Sequence, residues 1–398
     1  MKKVFLITLM VLLAGAMVLG SCAEPEPAAP TTPTTPTTPT TPTEPTKPAE
    51  PAEPAKPTEP AKPAEPAKPA EPEAKPILIK LGYDTPPPTS LGVPAEFFAE
   101  EVNKKLGGRV TVETYPAGTL STMESALESL RAGVADAYVI SLGANRDEFP
   151  VLSFTGVPGL DFFPHTIDLI KLETDTLKEI IDTYPGAMVE MEGLKILYSN
   201  TYTAAVLMGK GDPIRTPDGI NGKKVGADAY RQDLVEHLGG APVFTIPPFM
   251  YEQLQTGVID VTTVAWMAAA DWQLQELVDY VYDLSFGGGQ LPCVINTSVW
   301  DKISPADQQL VMEAAAAAEQ VNRDTLATQR PEARVLWEDT GIPTLTPTAD
   351  ELVLWEEAFS VIWNEYLEMN KDVSDIEAIF NHWKGTIQEA NAGMFHTE

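Results

Sequence analysis

The chain has 398 residues and carries 57 acidic against 27 basic side chains, a formal charge of -30. That balance excludes nucleic acid as a partner and excludes attraction to anionic membrane surfaces; a strongly anionic ligand would need local cations to be held. Only two cysteines are present, Cys22 and Cys293.

The first residues point to export. Lys2 and Lys3 precede an apolar run from Val4 to Val18, too short for a comfortable membrane span and suited to a signal-peptide core. Leu19-Gly20-Ser21-Cys22 then sets small residues directly before a cysteine, the lipobox pattern in which the thiol is diacylated and becomes the new N-terminus. An ordinary signal peptide containing a cysteine, or an uncleaved anchor, is the plainer alternative. With Cys22 lipidated, Cys293 is left alone and no internal disulfide can form. Cys293 sits between Gly287-Gly288-Gly289-Gln290-Leu291-Pro292 and an apolar run, so a buried structural thiol is expected there rather than a nucleophile.

Residues 23–76 hold eighteen of the 37 prolines, in units such as Pro30-Thr31-Thr32-Pro33 and Ala52-Glu53-Pro54-Ala55-Lys56-Pro57. Nothing in this stretch can form a packed core, and a disordered or polyproline II stalk is expected, reaching on the order of 150 Å when extended.

From Ile77 onward about 320 residues remain, enough for two α/β lobes. Ile77–Tyr83 reads as a buried strand, and a helix is predicted around Phe97, Phe98, Val102 and Leu106, closed by Gly107-Gly108. A strand at Val110–Tyr115, a helix from Ser125 to Arg131 with Gly133 as cap, and a strand at Ala137–Ile140 complete a β-α-β-α-β series. This series predicts a parallel sheet that binds ligands at its strand C-terminal ends.

A second unit is predicted to begin near Lys195-Ile196-Leu197-Tyr198. It continues through a strand at Lys224–Gly226, a helix through Leu234 to Leu238, a strand at Val243-Phe244, a helix Met250–Gln255 and a strand Val258–Thr262. Val294-Ile295-Asn296 returns the chain. Ser304-Pro305-Ala306-Asp307 then opens a long alanine-rich helix, with Ser at the N-cap and Pro at the first helical position. Further on, Trp355, Phe359, Trp363 and Tyr366 recur at three- to four-residue spacing and read as core packing.

Several of these segments resemble a known family. Phe97-Phe98-Ala99-Glu100-Glu101-Val102, Gly107-Gly108-Arg109-Val110 and Tyr115-Pro116-Ala117-Gly118-Thr119-Leu120 look like the N-terminal lobe of the DctP-type solute receptors of tripartite ATP-independent periplasmic (TRAP) transporters. Glu128–Asp136, Leu254–Asp260 and Val299–Gln308 extend the resemblance in the same order, over roughly Leu81 to Ala327. The resemblance implies a two-lobed periplasmic-binding-protein-like α/β fold with hinge strands and a long bracing helix. It places lobe I at residues 77–200 with about 291–330, and lobe II at 201–290 with about 331–398. It also implies capture of a small organic solute, carboxylate or neutral, between the lobes and its delivery to the TRAP membrane permease subunits. A ligand-sensing or orphan binding lipoprotein without a permease is the alternative.

The sequence departs from the family at its recurrent anchor, an arginine that pairs with a substrate carboxylate. In Asn221-Gly222-Lys223-Lys224-Val225-Gly226 that position is Gly226, and Thr262-Thr263-Val264 stands where the family has Gln-Glu-Asn. Either the ligand is not a simple carboxylate and aromatic and hydroxyl groups line the cleft, or Arg231 supplies the cation. A solvated helix-face charge is the plain reading of Arg231. Tyr83 and Ser141, at strand ends, are placed to face the cleft, and Glu128 matches a family position that contacts ligand. Tyr202, Tyr230, Thr263, Trp266 and Asn296 are further candidates, each with a structural role as its alternative; Trp266 could equally pack under the second lobe.

Enzyme chemistry finds little footing. His165, His237, His382 and His396 show no metal-ligand spacing, and no Gly-x-Ser-x-Gly elbow or phosphate loop is present. No catalytic residue, metal or cofactor is expected. The chain reads as exported and held at the outer face of the membrane by lipid on Cys22.

Overall fold

The computed structural model describes residues 75–160, 167–202 and 204–391, so Cys22, the apolar leader and nearly all of the proline-rich stretch lie outside it. The described residues belong to one compact unit, 70–398.

The chain opens with β1 (Ile77–Gly82), α1 (Gly92–Leu106), β2 (Val110–Tyr115), α2 (Ala126–Ala132) and β3 (Ala137–Val139). In α1 the side chains of Phe98, Val102 and Leu106 recur every four residues and are fully buried, which is the period of one helix face. Gly107, at φ 54, ends the helix in the left-handed conformation that costs glycine nothing. Next come α3 (Ile167–Thr183), α4 (Pro185–Glu190), β4 (Leu194–Tyr202) and β5 (Ala205–Gly209), followed by β6 (Lys224–Ala227), α5 (Ala229–His237), β7 (Ala241–Phe244) and α6 (Pro247–Thr256). β8 (Val261–Ala265), α7 (Trp266–Asp271), β9 (Tyr280–Tyr282), β10 (Gly289–Asn296) and α8 (Thr297–Trp300) lead into α9 (Pro305–Thr340), β11 (Thr344–Leu345), α10 (Ala349–Met369) and α11 (Ile376–Asn391).

The strands form two sheets, ordered β2-β1-β3-β10-β4 and β11-β9-β5-β8-β6-β7. In the first, β1 runs parallel to β2 and β3, while β10 is antiparallel to β3 and β4. In the second, β6 is parallel to β7 and β8, and β5 is antiparallel to β8 and β9. The chain passes from one sheet to the other between β4 and β5 and returns between β9 and β10.

Helix α9 is the third connection. Ser304 caps it by accepting from the Asp307 N–H at 3.2 Å, as the Ser-Pro-x-Asp opening predicts. Its 36 residues span about 54 Å. Near its start Val311, Ala314, Ala315 and Ala318 pack into the core of the first sheet. Near its end Trp337 meets Trp266 edge to face, centroids 5.6 Å apart, in the core of the second.

The rims of the first sheet are occupied in part by side chains. On β2, the Asn103 amide donates to the Val112 carbonyl at 3.0 Å and accepts from its N–H at 2.7 Å. On β4, the N–H groups of Ser199 and Thr201 donate to Glu319 Oε2 at 3.1 Å and Asn322 Oδ1 at 3.2 Å, both on α9.

The aromatic stripe of α10 is core, as its spacing predicts. Trp355 and Tyr366 are fully buried, and Phe359 and Trp363 nearly so. Their polar ends are used as well: the Trp363 indole donates to the Pro158 carbonyl at 2.8 Å and the Tyr366 hydroxyl to the Val151 carbonyl at 2.7 Å. The segment after β3 is thereby fixed on α10 by groups that would be costly to bury unpaired.

Two boundaries differ from the sequence expectation. Leu194–Tyr202 does not open a second unit; it completes the first sheet, paired with β10 from Tyr202↔Gly289 to Leu194↔Asn296. The strand expected at Val258–Thr262 starts later, at Val261, because Gly257 takes φ 72 and the N–H groups of Val258 and Ile259 close back on the Gln253 carbonyl.

Candidate functional site

In open α/β sheets ligands bind beyond the C-terminal ends of parallel strands. Here those ends include Tyr83 and Asp84 after β1, Pro116 after β2, Ser141 after β3, Asp228 after β6, Thr245 after β7 and Trp266 after β8, beside the crossings after Tyr202 and at 283–288.

After β1, Tyr83 is fully buried and its hydroxyl donates to Glu96 Oε1 at 2.5 Å; burial and that carboxylate raise its pKa. Asp84 accepts from the Met123 N–H at 2.5 Å and from the Tyr138 hydroxyl, and burial raises its pKa. After β3, Ser141 Oγ accepts from the Ala144 N–H at 3.2 Å, closing a turn. The chain then folds tightly on itself: a Cβ on Gly143 would lie 2.9 Å from the Gly156 Cα, so neither position has room for a side chain.

Arg146, in this same segment, reaches α5. It forms an ion pair with Asp233, and its guanidinium lies 5.0 Å from the centroid of the Tyr230 ring. Tyr230 is 1 % exposed, its hydroxyl shares a 2.7 Å hydrogen bond with Ser153 Oγ, and burial raises its pKa. Arg146, Tyr230, Asp233, Asn364 and Glu365 border an open groove of about 910 Å³ between this segment, α5 and α10.

Arg231 is already engaged. Its Nε donates to Asp228 Oδ1 at 2.8 Å and its Nη1 to the Gly287 carbonyl at 3.0 Å, the same carbonyl that accepts from the Ala205 N–H at 2.9 Å. Between Asp228 and Tyr230, Ala229 adopts φ 42, a left-handed backbone that costs a non-glycine residue of order 1 kcal/mol. Gly287, at φ 105, stands where only glycine is unstrained.

The position of the missing arginine is closed. A Cβ on Gly226 would lie 2.8 Å from both Ile259 Cδ1 and Thr245 Cγ2, and Thr262 Oγ1 donates to the Gly226 carbonyl at 3.2 Å. Next to Thr262, Thr263 is 5 % exposed and its hydroxyl has no hydrogen-bond partner.

The remaining candidates are spread more widely. The Trp266 indole donates to Asp283 Oδ1 at 3.1 Å, with its ring against Trp337. Asn296 caps α8, accepting from the Ser298 N–H at 2.8 Å and donating to the Leu130 carbonyl at 3.1 Å. Glu128 is exposed on the first turn of α2. Tyr202 ends β4 opposite Gly289, and its side chain lies outside the described residues. The structure therefore sets Tyr230 and Arg231 just after β6 and Trp266 directly after β8, with Thr263 in the middle of β8 opposite Leu207, and Asn296 at the far end of β10. The sequence reading passed over Arg146, Ser153 and Asp233; they lie in a turn-rich segment and on a mostly polar helix, where no periodicity marks them.

Among the described residues no group of three or more His, Cys, Asp or Glu side chains could hold a metal ion, and no helix is long and apolar enough to cross a membrane. Cys293 is fully buried in β10, and burial pushes its thiol up to about 12.

Comparison with known proteins places this architecture. Residues 81–370 match bacterial extracellular solute-binding protein, family 7, the DctP family. The C4-dicarboxylate-binding periplasmic protein DctP of Rhodobacter capsulatus is 26% identical over 306 residues, covering 74% of this chain and 88% of that protein. A marine metagenome TRAP solute binding protein specific for aromatic acid ligands superposes with a TM-score of 0.69 at 20% identity, covering 79% of this chain and 99% of that one. DctP7 of Bordetella pertussis, an extracytoplasmic solute receptor binding pyroglutamic acid, gives a TM-score of 0.66 at 18% identity over 77% of this chain and 99% of that one. At such identities the superpositions establish the fold.

Proposed function

We infer that this chain, which belongs to bacterial extracellular solute-binding protein family 7, captures a small organic solute between its two lobes and hands it to a TRAP membrane permease. The observation that carries this reading is the hinge-like construction. Two sheets with parallel-strand ends are joined by two strand crossings, and α9 is packed into the cores of both. Such a frame closes around a ligand without chemistry on it. The proposed division places lobe I at 77–200 with about 291–330 and lobe II at 201–290 with about 331–398. Ser141, Tyr202, Tyr230, Arg231 and Trp266, at strand ends, are proposed to border the solute, with Thr263 within β8 and Tyr83 behind them. Glu128 and Asn296 would act from further out.

The relatives' names supply the solute class by analogy: C4-dicarboxylates, aromatic acids and pyroglutamate are all organic acids. For a carboxylate to be held here, Arg231 must exchange Asp228 for the ligand, since Gly226 supplies no cation and an unpaired buried carboxylate costs several kcal/mol. Otherwise hydroxyl and amide groups hold a neutral portion of the solute. The exported, lipid-anchored location is supported by the lipobox ending in Cys22.

Native mass spectrometry of the protein purified without denaturation tests the reading. A retained small molecule, released unchanged on unfolding, is the expected result. Absence of any retained or titratable solute, or conversion of one to product, would sink it.

A further inference from the structure

The strongest unexplained group in the molecule is an amide. Asn200 is fully buried in β4, and neither its Oδ1 nor its Nδ2 has a hydrogen-bond partner; among the described side chains no other leaves two buried polar atoms unpaired in this way. Its neighbour across the ladder shows what a satisfied amide looks like here. Gln290 accepts from Ser199 Oγ at 2.8 Å and donates to Thr201 Oγ1 at 2.9 Å. Successive strand residues alternate faces, so Ser199, Thr201 and Gln290 share one face of the sheet, and Asn200 lies on the other with its cross-strand partner Leu291.

That second face leads to a strand end. β4 runs antiparallel to β10, as β3 does, so its C-terminal end lies with those of β1 and β3. Asn200 stands two residues from that end, beside the crossing that follows Tyr202. Leu291 belongs to the core shared with Tyr83 and Leu91, and Asn322 of α9 joins the Thr201 N–H to the Ser90 carbonyl, which holds the loop after β1 against the end of β4. A donor and an acceptor are thus presented, enclosed and unused, where three structural elements meet.

We propose that Asn200 is a specificity-determining residue that binds the captured solute through both amide groups. The solute would then present a neutral N–H donor beside a carbonyl acceptor, as a lactam or amide does. This rests on the solute-receptor reading and narrows it: recognition by a matched neutral pair takes the place of the charge that Gly226 does not provide. A buried amide left unpaired is unfavourable, and a complementary ligand relieves that cost while an aliphatic or doubly anionic one does not.

The test uses the full chain with pyroglutamate and succinate as calorimetric probes, against wild type, Asn200→Leu and Asn200→Asp. Pyroglutamate is expected to bind wild type at least tenfold more tightly than succinate. Asn200→Leu should melt at or above the wild-type temperature, because an unpaired amide has gone, yet lose at least tenfold in pyroglutamate affinity. Asn200→Asp, which cannot donate, should lose the preference between the probes and covers the case in which the leucine variant fails to fold. Equal pyroglutamate binding by wild type and either folded variant would mean that Asn200 meets only buried water, and would overturn the inference. So would a wild type that retains another small molecule in native mass spectrometry but ignores pyroglutamate, a result that leaves the receptor reading intact. Neither probe bound and nothing retained would tell against the receptor reading itself, and the inference would fall with it.

Discussion

Arg231 on α5 donates to the Gly287 carbonyl at 3.0 Å and so ties a helix of the second sheet to the strand crossing that leads back to the first. The guanidinium is also held by Asp228 on its own helix turn, and the two side chains are 17% and 31% exposed. The guanidinium thus links the helix turn to the crossing.

Replacing it should loosen the hinge without unfolding the protein. Arg231→Ala removes the hydrogen bond to the Gly287 carbonyl together with the ion pair to Asp228, on the order of 1–2 kcal/mol after solvent screening. Hydrogen exchange at the Ala205 amide, which shares the Gly287 carbonyl, should accelerate several-fold while core amides of β1 and β10 are unchanged. Unaltered exchange at Ala205 would show that the latch carries no load.

Restoring bulk at Gly226 should destabilise. The added Cβ of Gly226→Ala would press on the Ile259 and Thr245 side chains at 2.8 Å. Overpacking of this kind costs roughly 1–3 kcal/mol. A urea titration should show a lower midpoint with the slope unchanged, and Gly226→Arg should be worse. A midpoint equal to wild type would mean that the strand yields at no cost.

Acid should help one half-buried group. Burial pushes Glu190 up to about 7, even though its carboxylate accepts from the N–H groups of Val151 at 2.7 Å and Leu152 at 2.8 Å. Its folded pKa lies above the unfolded value near 4.3, so the folded state binds the extra proton and this group's contribution to stability falls as pH rises from about 4.3 to about 7. Glu190→Gln, which keeps a neutral acceptor, should flatten that part of the profile. Urea midpoints at pH 5 and pH 7.5 for both proteins read the difference. An equal change in each would remove Glu190 as its source.

The lone described thiol should be inert. Cys293 is fully buried and raised to about 12 by desolvation, so iodoacetamide at pH 8 should label its peptide only after denaturant is added. Prompt labelling of the native protein would contradict this burial.

Sequence was most informative where periodicity and local caps decide structure. The α1 face at Phe98, Val102 and Leu106, the Ser304 cap and the stripe from Trp355 to Tyr366 each follow from spacing or a single side-chain bond. The family was also readable, because its short motifs occur in order, and its members are solute-binding receptors rather than enzymes. That Leu194–Tyr202 completes the first sheet, rather than opening a second unit, was not readable. That is set by pairing with β10, nearly a hundred residues away. Nor could sequence give the partners of Arg231 or Arg146, which are a distant carbonyl and a carboxylate on another element. The two unpaired groups of Asn200 carry no pattern at all, since an unsatisfied amide is defined by what fails to surround it.

The first sheet has a property that belongs to neither lobe closure nor binding. An open strand rim is a template on which another chain can add and grow into fibres. Here Asn103 presents its amide to Val112 of β2 as a neighbouring peptide group would, while Glu319 and Asn322 accept from the N–H groups of Ser199 and Thr201 on β4. Each rim is thus interrupted by side chains from the molecule's own helices. Copies packed side by side on one surface meet a broken ladder at Val112, Ser199 and Thr201, which raises the barrier to edge-to-edge growth.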